Sequence, residues 1–122
     1  MLKNVFIVGL GGAIGTVGRF LIYQLIKTNS SFWVTLGINI LGSFLIGIFL
    51  GMGLRNSNFE SNWKVFLATG VCGGFTTFSA FSIENIQLME QGKWALCLLY
   101  IIGSVILGIS AAFLGYRLTN LF

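Results

Sequence analysis

The chain has 122 residues, 56% of them hydrophobic and 8% charged, with a formal net charge of +4 and neither histidine nor proline. A soluble domain of this size must cover its surface with polar groups, so a small water-soluble globule is excluded. Without histidine or a paired carboxylate set, and with no base beside either cysteine, an enzyme is not expected either.

Four apolar stretches organise the chain: Val5–Ile26, interrupted by Arg19, then Phe32–Leu54, Val65–Ile83 and Ala95–Tyr116, all three without charge. Each approaches the roughly 20 residues that cross a hydrocarbon core as a helix. The expectation is a single all-α transmembrane domain over 1–122, with helices at about 3–27, 32–54, 63–90 and 94–119. The connections, near 27–31, 55–64 and 84–94, leave no room for an extramembrane domain. Lys3 before an apolar run also suits a signal peptide, but an uncleaved first helix is simpler with Arg19 inside the run and three spans following.

In the first helix, Gly11 and Gly15 are four residues apart, as are Gly47 and Gly51 in the second and Gly70 and Gly74 in the third; Gly108 and Ala112 repeat the spacing in the last. Small residues at that interval let membrane helices approach closely. Arg19 follows this glycine-rich run, and two readings stand: its side chain snorkels to the interface, or it attracts or holds an anion. In the second helix Asn39 and Ser43 are one turn apart and share a face. Asn39 is read either as an interhelical hydrogen-bonding residue or as a pore-lining amide.

The third helix holds the least lipid-like stretch. Gly73–Gly74 precede Thr76, Thr77, Ser79 and Ser82, with Phe75, Phe78 and Phe81 three apart. Two glycines followed by hydroxyl residues can break a helix at membrane depth, and the freed backbone groups are then natural ion sites. Ring edges carry partial positive charge and can face an anion. The alternative is a packed phenylalanine stripe with hydroxyls bonded back onto the helix. Cys72 and Cys97 read as inert buried thiols.

Lys3, Arg55, Lys64 and Arg117 fall on one side of a four-span chain, and Lys27, Lys93 and the end of the helix bearing Arg19 on the other. That bias is weak, so either one orientation wins narrowly or the protein inserts both ways. Tight helix faces and balanced charge suit a dimer.

Together, "GGAIGTVGRF", "GINILGSFLIG" and "GVCGGFTTFSAFS", in this order over a chain of this length, resemble the CrcB/Fluc family of fluoride channels. The resemblance implies an antiparallel, dual-topology homodimer enclosing two fluoride pores in a bacterial inner membrane, giving passive efflux that relieves cytoplasmic fluoride toxicity. It further implies a structural sodium ion at the dimer centre, held by the carbonyls of Gly73 and Thr76. Asn39, Phe78, Ser79 and Phe81 would contact fluoride, with Arg19 near the pore entrance and Ser43, Thr77 and Glu84 as supporting residues. The expected partners are a second copy, fluoride and membrane lipid, and no nucleic acid. The usual "TTFSTFS" reads "TTFSAFS" here, placing Ala80 where a hydroxyl normally stands. That substitution leaves a heterodimer open beside the homodimer. The family's polar track often ends at a tyrosine of the last helix; Tyr100 is nearby, without an assigned alignment. The rival reading is a small four-helix multidrug or cation exporter, which needs an acidic residue in its first helix; here that helix has Arg19 and no acid.

Overall fold

The computed structural model describes residues 1–55 and 61–121. Most of the connection read at 55–64, and the Arg55 side chain, lie outside the described residues. Four helices are long and apolar enough to cross a membrane: Leu2–Leu25, Ser31–Leu54, Ser61–Glu90 and Trp94–Leu121. The protein is therefore all-helical and multi-pass. The first span is α1 (Leu2–Leu25) and the second α2 (Ser31–Arg55). The third begins with α3 (Ser61–Lys64), widens into a π-helical stretch over Val65–Cys72, and closes with α4 (Gly73–Phe75) and α5 (Phe78–Glu90). The fourth is α6 (Trp94–Leu118), ending in a 3-10 turn, Thr119–Leu121.

α1 stops at Leu25, before the residue 27 expected from sequence, because Ile26 turns extended (φ −98°, ψ 92°) ahead of the short polar connection. α5 runs past the end of its apolar stretch at Ile83 to Glu90, and Glu84 and Asn85 are both buried inside it. The turn from α5 to α6 depends on Gly92 at φ +74°, where a side chain would be strained. Its neighbour Lys93 returns its N–H to Leu88 O at 2.8 Å, satisfying an end carbonyl of α5.

Two close helix pairs hold the fold. α2 lies on α6 through Gly47, whose Cβ would fall onto the Ala112 carbonyl, and Gly115, whose Cβ would strike that of Phe44. α1 lies on the first half of the third span through Gly11, where a Cβ would sit 2.6 Å from Phe66 O, and Gly15, where it would meet Val71 O. Apolar burial gives little drive between helices in lipid, so these backbone approaches and their dispersion contacts supply the packing energy. The outward faces carry Leu10, Ile14, Val17, Leu98, Ile102 and Ile109, all exposed apolar side chains. Trp33, Trp63 and Trp94 lie near the starts of α2, α3 and α6, exposed where an aromatic belt belongs.

Gly47→Val forces backbone apart along the whole α2–α6 seam. An overpacked core costs about 1–3 kcal/mol or more, so the purified variant is expected to melt several degrees lower in detergent. Gly9→Ala meets nothing within 4 Å and is expected to leave the melting temperature unchanged.

Candidate functional site

The site is built around two residues, Thr76 (φ −81°, ψ 156°) and Thr77 (φ −148°, ψ 116°), which are extended between α4 and α5. Gly73 and Gly74 weaken the helix ahead of them, and the β-branched threonines tolerate extended backbone well. Thr77 then caps the next helix: its Oγ1 accepts from Ala80 N–H at 3.2 Å. Thr76 Oγ1 donates back to Cys72 O at 2.9 Å.

Backbone groups released at this point are taken by side chains from two other helices. Asn39 of α2 clamps Thr77 at both polar atoms, with Oδ1 accepting its N–H at 2.9 Å and Nδ2 donating to its carbonyl at 3.1 Å. Arg19 of α1 donates from Nε to Gly74 O at 3.1 Å, and Thr16 Oγ1 approaches the same oxygen at 3.4 Å. In a continuous helix, Thr77 N–H would bond Gly73 O and Ala80 N–H would bond Thr76 O. Both donors are diverted to side chains, so the Gly73 and Thr76 carbonyls lose their helical partners.

An open cavity of about 310 Å³ lies against this point, lined by Asn39, Gly42, Ser43, Ile46, Cys72, Gly73, Thr76, Thr77 and Phe78. Two spans thus bring together six of the residues singled out from sequence: Asn39, Ser43, Gly73, Thr76, Thr77 and Phe78. Ser79, exposed, sits with its Oγ 3.1 Å from Thr77 Oγ1. Phe78 is 77% exposed, a large apolar ring without an internal partner on its outer face. It leads into a line of rings: Phe78 to Phe81 at 5.5 Å between centroids, Phe81 to Tyr100 at 4.9 Å, and Tyr100 to Phe32 at 5.4 Å. Ala80 contributes only its backbone N–H to the cap.

The second polar centre is Glu84, only 6% exposed. One carboxylate oxygen accepts from Thr35 Oγ1 at 2.6 Å and Ser31 Oγ at 2.8 Å; the other accepts from the Tyr100 hydroxyl at 2.7 Å. Tyr23 pairs with Thr35 through their hydroxyls. A buried carboxyl group requires donors of this kind, since in a membrane interior its lone pairs have no water. A polar cavity of about 260 Å³ opens from Glu84 past Ser31, Gln87 and Gln91 to Lys93.

Sequence reading missed Ser31, Thr35 and Tyr23, and left Tyr100 unassigned. The signal was present on α2: Ser31, Thr35, Asn39 and Ser43 recur every fourth residue, a polar stripe one turn apart along one face. On α6 the Ser104 hydroxyl is buried without a hydrogen-bond partner, one turn after Tyr100. Among the described residues no group of three or more histidine, cysteine or acidic side chains could hold a metal ion.

Four apolar spans, a polar seam between them and a gap in helical bonding define a small multi-pass membrane protein with polar groups gathered within its spans. Residues 6–116 match the family described as "CrcB-like protein, Camphor Resistance (CrcB)". The chain is 46% identical over 125 residues to a "Fluoride-specific ion channel FluC" of Azobacteroides pseudotrichonymphae, covering 100% of both chains. It is 43% identical over 123 residues to the protein of that name from Agrobacterium fabrum, with 98% of each covered, and 43% identical over 120 residues to one from Thermus thermophilus, with 96% and 95% covered. This chain belongs to the CrcB family. Its relatives are named for the passage of an ion and not for a reaction.

Proposed function

We propose that the chain is a fluoride channel of the bacterial inner membrane, giving passive efflux that lowers cytoplasmic fluoride. The observation that carries this is similarity along the entire chain to proteins named fluoride-specific ion channels. The cavity beside the interrupted third span supports it. Fluoride is small and strongly hydrated, so a selective path must replace its water with closely placed donors in a narrow passage. Asn39 and the Ser79 hydroxyl supply donors, and Asn39 Nδ2 carries a second N–H beyond the one held by Thr77. The edges of Phe78 and Phe81 supply weak positive surface that attracts an anion without trapping it.

In this reading the pore is completed by a second copy in antiparallel orientation. Phe78 stands exposed at the cavity, and an apolar groove of about 640 Å³ shares Ile46 with it. Such continuous polar and apolar surface is what a partner subunit would cover, enclosing two pores. A structural sodium ion at the centre would be held by the Gly73 and Thr76 carbonyls, oxygen donors of the kind a hard cation takes and free of helical partners here. When bound it would supply a positive potential for the anion. Arg19, Ser43, Thr77 and Glu84 support the path.

Liposomes loaded with fluoride and carrying the purified protein test this directly. Fluoride is expected to leave passively down its gradient and chloride to stay behind. Equal chloride flux, or no fluoride flux from a folded dimer, refutes it.

A further inference from the structure

Arg19 is half-buried, and its side chain hydrogen-bonds the third span through Nε. Gly12 and Gly15 bring α1 so close to the third span that a Cβ on Gly74 would strike the Gly12 carbonyl. At that separation the nitrogen nearest the backbone, Nε, donates to Gly74 O at 3.1 Å. Gly74 O is the oxygen that would accept Phe78 N–H if the helix continued; Phe78 instead opens α5. A carbonyl left bare at membrane depth is costly, and a charged donor is the strongest available replacement.

We propose that Arg19 is a positioning residue: by holding the Gly74 carbonyl toward α1, it prevents the third span from closing into a continuous helix over 74–78. Asn39 grips the same segment from the opposite flank through Thr77. The two grips keep the segment open, with Thr77 N–H held by Asn39 away from the Gly73 carbonyl and Ala80 N–H held by Thr77 Oγ1 away from the Thr76 carbonyl, and what the latch requires of Arg19 is a donor at the Nε position. The inference rests on the channel reading for its consequence, while the latch itself is a matter of backbone geometry.

The two roles open to Arg19 require different atoms, which two variants separate. In Gln the amide nitrogen lies the same number of bonds from Cα as Arg Nε, so Arg19→Gln keeps the donor and removes the charge. In Lys that position is a methylene, so Arg19→Lys keeps the charge and moves the donor one atom further out. Fluoride efflux is measured in liposomes on both variants, together with amide hydrogen exchange over Thr76–Ala80 in detergent. Arg19→Gln is expected to stay within about threefold of the parent in flux and exchange. Arg19→Lys is expected to lose about tenfold in flux and, as the freed Gly74 carbonyl takes up Phe78 N–H, to exchange about tenfold more slowly there, the factor set by one hydrogen bond. Flux from Arg19→Lys equal to or above that of Arg19→Gln overturns the proposal, whether both conduct or neither does. A parent protein that conducts no fluoride removes the channel reading instead, and exchange alone then decides the latch: exchange in Arg19→Gln as slow as in Arg19→Lys, or slower, overturns it.

Discussion

Asn39→Asp is expected to lower fluoride efflux by about a hundredfold while leaving the chain folded. The substitution replaces one atom. Aspartate still accepts Thr77 N–H, the bond held at 2.9 Å by Oδ1. What changes is the second contact: a carboxylate oxygen now faces the Thr77 carbonyl, where Nδ2 donated at 3.1 Å. Two acceptors repel, and the carbonyl is left without a donor at a depth where water does not replace one. A lost bond of this kind costs about 1–3 kcal/mol, with the repulsion added, so a hundredfold effect (about 2.8 kcal/mol) follows. The new charge would also repel an approaching anion. Asn39→Gln separates the two terms, because it keeps the neutral amide and misplaces it by one methylene. Efflux is expected to fall less in Gln than in Asp, and melting temperatures in detergent show whether either variant has unfolded. Parental flux in Asn39→Asp would remove Asn39 from the path and from the clamp on Thr77.

That clamp shows how far the sequence speaks. The four spans are plain in the apolar runs, since charge is excluded from them except at Arg19. The unusual chemistry of Gly73–Phe81 is equally plain, since a lipid-facing helix has no use for it. Harder to see is where each polar group goes. Asn39 is a polar residue among isoleucines whichever way it points, and only the approach of the third span makes Thr77 its partner, 38 residues away. Arg19 has the same ambiguity: snorkelling and anion attraction both suit an arginine after glycines, and only the approach of the third span gives its Nε the Gly74 carbonyl as a partner. Thr35 was passed over for a different reason. A threonine in an apolar segment reads as β-branched filler, yet it is fully buried against Glu84, 49 residues on. The four-residue recurrence of Ser31, Thr35, Asn39 and Ser43 could have exposed it. The π-helical stretch over Val65–Cys72 had no such mark, because a change from i→i−4 to i→i−5 bonding leaves no distinctive residue types.

Glu84→Leu is expected to destabilise the protein by about 3 kcal/mol, the largest effect on folding among single changes at the site, because it removes the acceptor of three hydroxyls, each such loss costing about 1–3 kcal/mol where no other partner remains. Leucine fills much of the volume but accepts nothing. Ser31 Oγ and the Tyr100 hydroxyl, now 2.8 and 2.7 Å from the carboxylate, would be left pointing at a hydrocarbon side chain, and Thr35 Oγ1, now at 2.6 Å, would keep only Tyr23. Thr35 and Tyr100 are almost completely buried, so neither finds water in exchange. Ser31, exposed beside the polar cavity, contributes least. The consequence reaches the ring line, because Tyr100 also packs on Phe81 at 4.9 Å and its hydroxyl bond to Glu84 fixes where that ring stands. Glu84→Gln discriminates between charge and hydrogen bonding. Its carbonyl still accepts from Thr35 or Ser31, while its NH2 donates to a Tyr100 hydroxyl rotated to act as acceptor. The order of melting temperature is therefore expected to be parent, then Gln, then Leu, with Gln nearer the parent. Flux should follow the same order if Tyr100 sets the position of Phe81, and Tyr100→Phe should then reproduce part of the loss. Equal stability of the Leu variant and the parent would show that the three hydroxyls find other partners, and would remove Glu84 as the organiser of this end of the path.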